Sequence, residues 1–124
     1  MDLPESVRRF VLQHIDSIAE LEGLLLTRRE PLVPWTATGL AGRLYVSTEA
    51  AAAVLDALHR RELLVAEGDR YRYEPASGEQ RAAVDAVAEL YSRSVIPITN
   101  LIHARVRPSV QQFADAFRLR DKSE

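Results

Sequence analysis

The side chains able to do chemistry are few and dispersed. His14, His59 and His103 lie far apart, and none shares a face with a second His, Asp or Glu at metal-ligand spacing. The chain has no cysteine, which excludes disulfides, thiolate nucleophiles and cysteine-bound zinc and makes a reducing cytoplasm the expected compartment. Its five glycines are scattered, so no loop is built to cradle a phosphate or dinucleotide, and no serine lies in a Gly-x-Ser-x-Gly setting. These residues predict a non-enzymatic protein that needs neither cofactor nor metal. His14 falls on an apolar stripe between Phe10 and Ile18 and reads as a packing residue. Trp35 could stack on a base or ligand, but its place just before a short helix suits a plug at the edge of the core.

A formal net charge of −2 gives no global attraction to polyanions, so any nucleic-acid contact has to come from a local patch. The excess of positive charge lies in the last twenty residues, at Arg105, Arg107, Arg118, Arg120 and Lys122. No uncharged stretch approaches the length needed to span a bilayer, and the N-terminus lacks the pattern of a secretion signal, so a soluble protein with no membrane partner is expected.

Prolines punctuate the 124 residues into helical and β-prone segments. Asp2 with Glu5 makes a capping-box pattern that starts a helix near Leu3, carrying Val7, Phe10, Val11, Ile15 and Ile18 at helical spacing. Ser17 with Glu20 offers a second box, so this helix either breaks there or runs on to Arg29. Pro31 and Pro34 stop it, and a short helix with Leu40, Ala41 and Leu44 follows Trp35 and Thr36. Ser47 can cap a third helix from Thr48 to Glu62, with Ala51, Val54, Leu55 and Leu58 on one face. The runs Leu63 to Glu67 and Arg70 to Glu74, around Gly68-Asp69, predict a β-hairpin with Tyr71 and Tyr73 on one face and Arg70 and Arg72 on the other. Ser77 with Gln80 opens a long helix to about Arg93, which Pro97 must kink or end. Ile98, Leu101 and Ile102 suggest a further short helix, and Val110, Phe113, Ala114 and Phe117 share one face of a last amphipathic stretch.

Helix, turn, helix and hairpin, carried by LAGRLY, the turn VS and the closing pattern VLDALHRRELLV, resemble the winged helix-turn-helix superfamily. Leu55, Leu58, Leu63 and Leu64 match its apolar pattern, while Glu62 stands where a helix-ending glycine is more usual. The resemblance implies a mainly α fold with a small β-hairpin wing: a winged unit over 35–75, an N-terminal helical arm over 3–30 and C-terminal helices over 77–120, in a single domain. It also implies a transcription regulator that places the helix from Thr48 in the major groove of double-stranded DNA. Candidate contacts are then Arg43, Thr48, Ala52 and Arg60, with Arg70 and Arg72 of the wing on phosphates.

The exposed positions of that helix also include Glu49, Ala53 and Asp56, a poor set for reading base edges. From Tyr45 to Pro75, Arg60, Arg61, Arg70 and Arg72 face Glu49, Asp56, Glu62, Glu67, Asp69 and Glu74, so the unit is slightly acidic. The alternative is a protein-interaction module or adaptor on the same fold, without specific DNA binding. A homodimer is expected to form through Val7, Phe10, Val11 and Ile18 together with Ile98, Leu101, Ile102, Phe113 and Phe117, because a small winged unit would leave both sets uncovered. The competing arrangement folds both arms back onto the winged unit.

Overall fold

The computed structural model describes residues 3–103, which form a mainly helical fold with one small antiparallel sheet. Helix α1 (Glu5–His14), expected to start near Leu3, has Pro4 at its N-cap and no side-chain cap; Asp2 lies outside the described residues. It buries Val7, Phe10 and Val11 at the i, i+3, i+4 spacing of one helical face.

The chain then turns through Ile15 and breaks the helix. Ser17 Oγ accepts the Glu20 amide at 3.1 Å, and Glu20 Oε1 reaches back to the Asp16 amide at 2.9 Å, one residue short of the usual reciprocal partner. This local pair of bonds decides between a continuous and a broken helix in favour of the break. Helix α2 (Ile18–Arg29) follows, with Leu21, Gly23, Leu24 and Leu26 buried. A Cβ on Gly23 would come within 2.7 Å of Val54 Cγ1, so α2 approaches the fourth helix at a distance only glycine permits.

After the two prolines Trp35 pairs with the later hairpin, its amide donating to the Tyr71 carbonyl at 2.7 Å and its carbonyl accepting from the Tyr71 amide at 2.8 Å. Thr36 caps α3 (Ala37–Leu44), and Ser47 caps α4 (Thr48–Arg60) by accepting the Ala50 amide at 3.0 Å. Helix α4 ends earlier than expected, because Glu62 adopts a left-handed φ of 64°. The Leu63 amide then reaches the Leu58 carbonyl at 3.0 Å and the Glu62 amide the His59 carbonyl at 2.9 Å, the bond pair that closes a helix when a glycine-like residue follows it. Leu58 and Leu63, both fully buried, pack beneath this closure.

Strands β1 (Leu64–Glu67) and β2 (Arg70–Tyr73) pair in antiparallel register from Leu64 opposite Tyr73 to Glu67 opposite Arg70, leaving Gly68 and Asp69 as a two-residue turn. Ser77 caps α5 (Gly78–Arg93). The chain breaks at Ser94, three residues ahead of Pro97, and a helix α6 over 95–103 takes that proline into its first turn, where no backbone donor is needed. None of the described helices is long and apolar enough to cross a membrane.

The buried side chains form one cluster running from Val7 to Ile102. Part of the apolar surface from which a dimer was expected is covered within one chain. Val7, Phe10, Val11, Ile98 and Ile102 are covered within their own chain, and Ile18 and Leu101 are partly buried against the same cluster. Helix α1 packs on α5, so these two helices cover each other. Helix α2, expected as part of an arm, lies against α3 and α4 with Leu21 and Leu24 fully buried. Phe113 and Phe117 lie outside the described residues.

Candidate functional site

The exposed face that the sequence singles out belongs to α4. Its buried positions alternate with an outward stripe of Thr48, Ala52, Asp56 and Arg60, one helical turn apart, flanked by Glu49, Ala53 and His59. Thr48, Ala52 and Arg60 are therefore brought onto one line. Arg60 turns along the helix to Asp56, its Nε 2.9 Å from Oδ2. At the far end of the stripe the His59 ring meets Tyr71 edge-on, with centroids 5.6 Å apart, and joins α4 to the hairpin.

On the hairpin Arg72 lies between two carboxylates, 3.3 Å from Glu67 and 3.2 Å from Glu74. Hydrogen bonds to these acids raise its pKa above the ordinary guanidinium value, Glu67 contributing most. Arg70 is 4.0 Å from Asp69 in the turn. Arg43 belongs to a different group: it pairs with Glu30 at 3.1 Å and its guanidinium stands over the Trp35 ring, 5.6 Å from the centroid. The four arginines expected to meet DNA thus each have a carboxylate neighbour, whereas Glu49 and Glu62 have no ion-pair partner among the described residues.

Trp35, expected to plug the edge of the core, does so. Trp35 and Tyr73 are buried, and neither Trp35 Nε1 nor the Tyr73 hydroxyl has a hydrogen-bond partner among the described residues. Burial raises the Tyr73 phenol above its ordinary pKa, and nearby Asp85 adds to the effect. Of the histidines, His14 stacks against Phe10 with ring centroids 4.8 Å apart, and His103 is exposed. The described residues contain no group of three His, Cys, Asp or Glu able to hold a metal ion.

The side chain that sequence reasoning missed is Arg61. Its guanidinium donates to the His14 carbonyl at 2.7 Å, to Asp16 Oδ2 at 2.7 Å and to Glu20 Oε1, while its own carbonyl accepts from Gln80 Nε2 at 3.0 Å. One residue past α4 thereby ties the α1–α2 corner to the start of α5. The Ser17–Glu20 box hinted that Glu20 would be held in place, but nothing local to Arg61 announces partners more than 40 residues away.

Set beside known protein families, curated proteins and solved structures, the chain matches no family model, no curated protein and no solved structure.

Proposed function

We propose that α3, α4 and the hairpin form a winged helix-turn-helix unit that works without catalysis, as a docking surface for another protein. The order of elements supports the winged reading, as does the Trp35–Tyr71 bridge, which ties the segment ahead of α3 to the second strand of the wing. The observation that carries the docking reading is the pairing of Arg43, Arg60, Arg70 and Arg72 with carboxylates. Exposed pairs of this kind are worth only about 0–1 kcal/mol each, so they do not lock the arginines away. What they remove is net charge: a phosphate approaching Arg72 also approaches Glu67 and Glu74. A face of alanine and acid between them suits a protein partner that is basic along its contact.

The second reading is duplex DNA held by its phosphates, as in a transcription regulator. It is favoured by Arg70, which has the loosest ion pair of the hairpin, and by the exposed hydroxyl of Thr48 at the start of α4. Fluorescence polarisation with random duplex DNA at low and moderate salt separates the two. The docking reading expects no appreciable binding at moderate salt. Binding whose log–log salt slope is about −3 or steeper, reduced by about two units in an Arg70→Ala, Arg72→Ala variant, would establish the DNA reading instead.

A further inference from the structure

Away from the α4 stripe, a depression of about 400 Å³ opens where the end of α3 meets α2 and α5. Glu22, Leu25 and Arg29 of α2 line it together with Leu44, Tyr45 and Tyr91. Tyr45 is the residue that the fold does not explain. It ends α3 in a left-handed conformation, φ 57°, which costs a side chain about 1 kcal/mol and suits glycine or asparagine. Tyr45 is also 93% exposed, and its side chain makes no hydrogen bond or ring contact among the described residues. A large aromatic group held in this way has no task inside its own chain, and tyrosine is a residue that binding surfaces favour.

Beside this tyrosine, α2 turns outward a stripe of Ile18, Glu22, Leu25 and Arg29, spaced by four, three and four residues as along a coiled-coil seam. Its other side, with Leu21, Gly23 and Leu24, is buried against α3 and α4. Ile18 and Leu25 are only half-buried. Glu22 and Arg29 are exposed, and neither has an ion-pair partner among the described residues. Such a stripe is complementary to itself. Laid antiparallel on a copy, about a two-fold axis at Leu25 and Leu26, Glu22 of each helix falls opposite Arg29 of the other, and Leu25 meets its own counterpart. Ile18 then points towards Leu32, which stands 87% exposed just past the end of the other α2. The shapes match in the same sense: a protruding tyrosine and a depression walled by leucine and tyrosine lie side by side on one surface, so each copy supplies both. We infer that a second copy of this chain covers the α2 stripe, with Tyr45 of each copy seated against Leu25, Leu44 and Tyr91 of the other. The paired helices, 12 residues each, run together for about 18 Å and with the tyrosines bury on the order of 1,000 Å², the low end for a specific interface.

Charge reversal tests a two-fold contact in a way that a merely structural role would not imitate. Sedimentation of the full chain from low to high micromolar concentration should show a reversible dimer. Glu22→Arg sets two arginines against each other at both ends of the contact, and Arg29→Glu sets two carboxylates there, so each variant alone should dissociate at least about tenfold more readily than the wild type. Mixed in equal amounts, the two variants should pair with each other at about the wild-type strength, because both attractive contacts return. The Glu22→Arg, Arg29→Glu double variant should do the same with itself. Both positions are exposed, and circular dichroism confirms that every variant is folded. Tyr45→Gly, which fits the left-handed φ better than the native residue, should also weaken the dimer about tenfold without harm to the fold. A monomer at every concentration would overturn the proposal, as would a dimer that tolerates the single reversals or Tyr45→Gly, or a mixture of the two reversed variants that stays monomeric.

Discussion

Two arginines among the described residues are each held by two carboxylates, and the two clusters do different things. Arg61 joins Asp16 and Glu20 at a junction of three helices, where its side chain is 21% exposed and that of Glu20 14%. Arg72 joins Glu67 and Glu74 on the surface of the hairpin, among residues adjacent in sequence or across one strand pair. The chemistry is the same, a guanidinium fork against carboxylates. The consequence differs because desolvation makes the inner cluster costly to break, whereas water and salt stand ready to replace the partners of the outer one. Similar ion pairs in one fold can thus serve as a tie between elements or as a local cancellation of charge.

The comparison breaks most sharply at Arg61. Arg61→Ala removes the donor that Asp16, Glu20 and the His14 carbonyl share at a part-buried junction, and should lower stability by about 2 kcal/mol, between the values for an exposed and a fully buried pair. Chemical denaturation measures this as a lower midpoint at unchanged slope. Arg61→Lys should recover part of the loss, since a point charge can meet one partner but not the whole fork. A midpoint equal to the wild type would mean that the junction holds without its ion cluster. The next effect is smaller and opposite in sign. Glu62 ends α4 in a left-handed conformation that costs a side chain about 1 kcal/mol, so Glu62→Gly should raise stability by about that amount in thermal unfolding while leaving the neighbouring Arg61 cluster intact. The smallest effect belongs to Arg72. Arg72→Ala should leave the unfolding midpoint within experimental scatter of the wild type, and a fall comparable to that of Arg61→Ala would erase the distinction between the two clusters.

The same contrast explains how much was legible in the sequence. Ser17, Ser47 and Ser77 act through hydrogen bonds to amides three residues ahead, so residue type and spacing contain the whole interaction. Gly68-Asp69 between two β-prone runs is equally local, and the hairpin stands within one residue of its expected bounds. Apolar stripes were readable too, but a stripe shows that a face is buried and not what buries it. Val7 and Phe10 could have met a second copy; they meet their own core instead. Pro97, expected to kink or end the long helix near Arg93, stands beyond its end and within the first turn of α6, a position that proline suits. At the candidate site the balance of charge on α4 and the hairpin was visible in the sequence. The pairing of Arg43 with Glu30, and of Arg61 with residues across the fold, was not, because partners so distant in the chain are set by how the helices pack.

The bridge between Trp35 and Tyr71 bears on the order in which the molecule assembles. Its two reciprocal hydrogen bonds join residues separated by the whole of α3, α4 and β1, so closing them early would carry a large loss of chain entropy. They can close cheaply only after those helices have brought their ends together. Trp35 is also the single tryptophan, buried at this closure beneath the Arg43 guanidinium. Its fluorescence during refolding therefore times the last long-range step of the α3–α4–hairpin unit, while the strand pair around Gly68-Asp69 is free to form and fray many times before it.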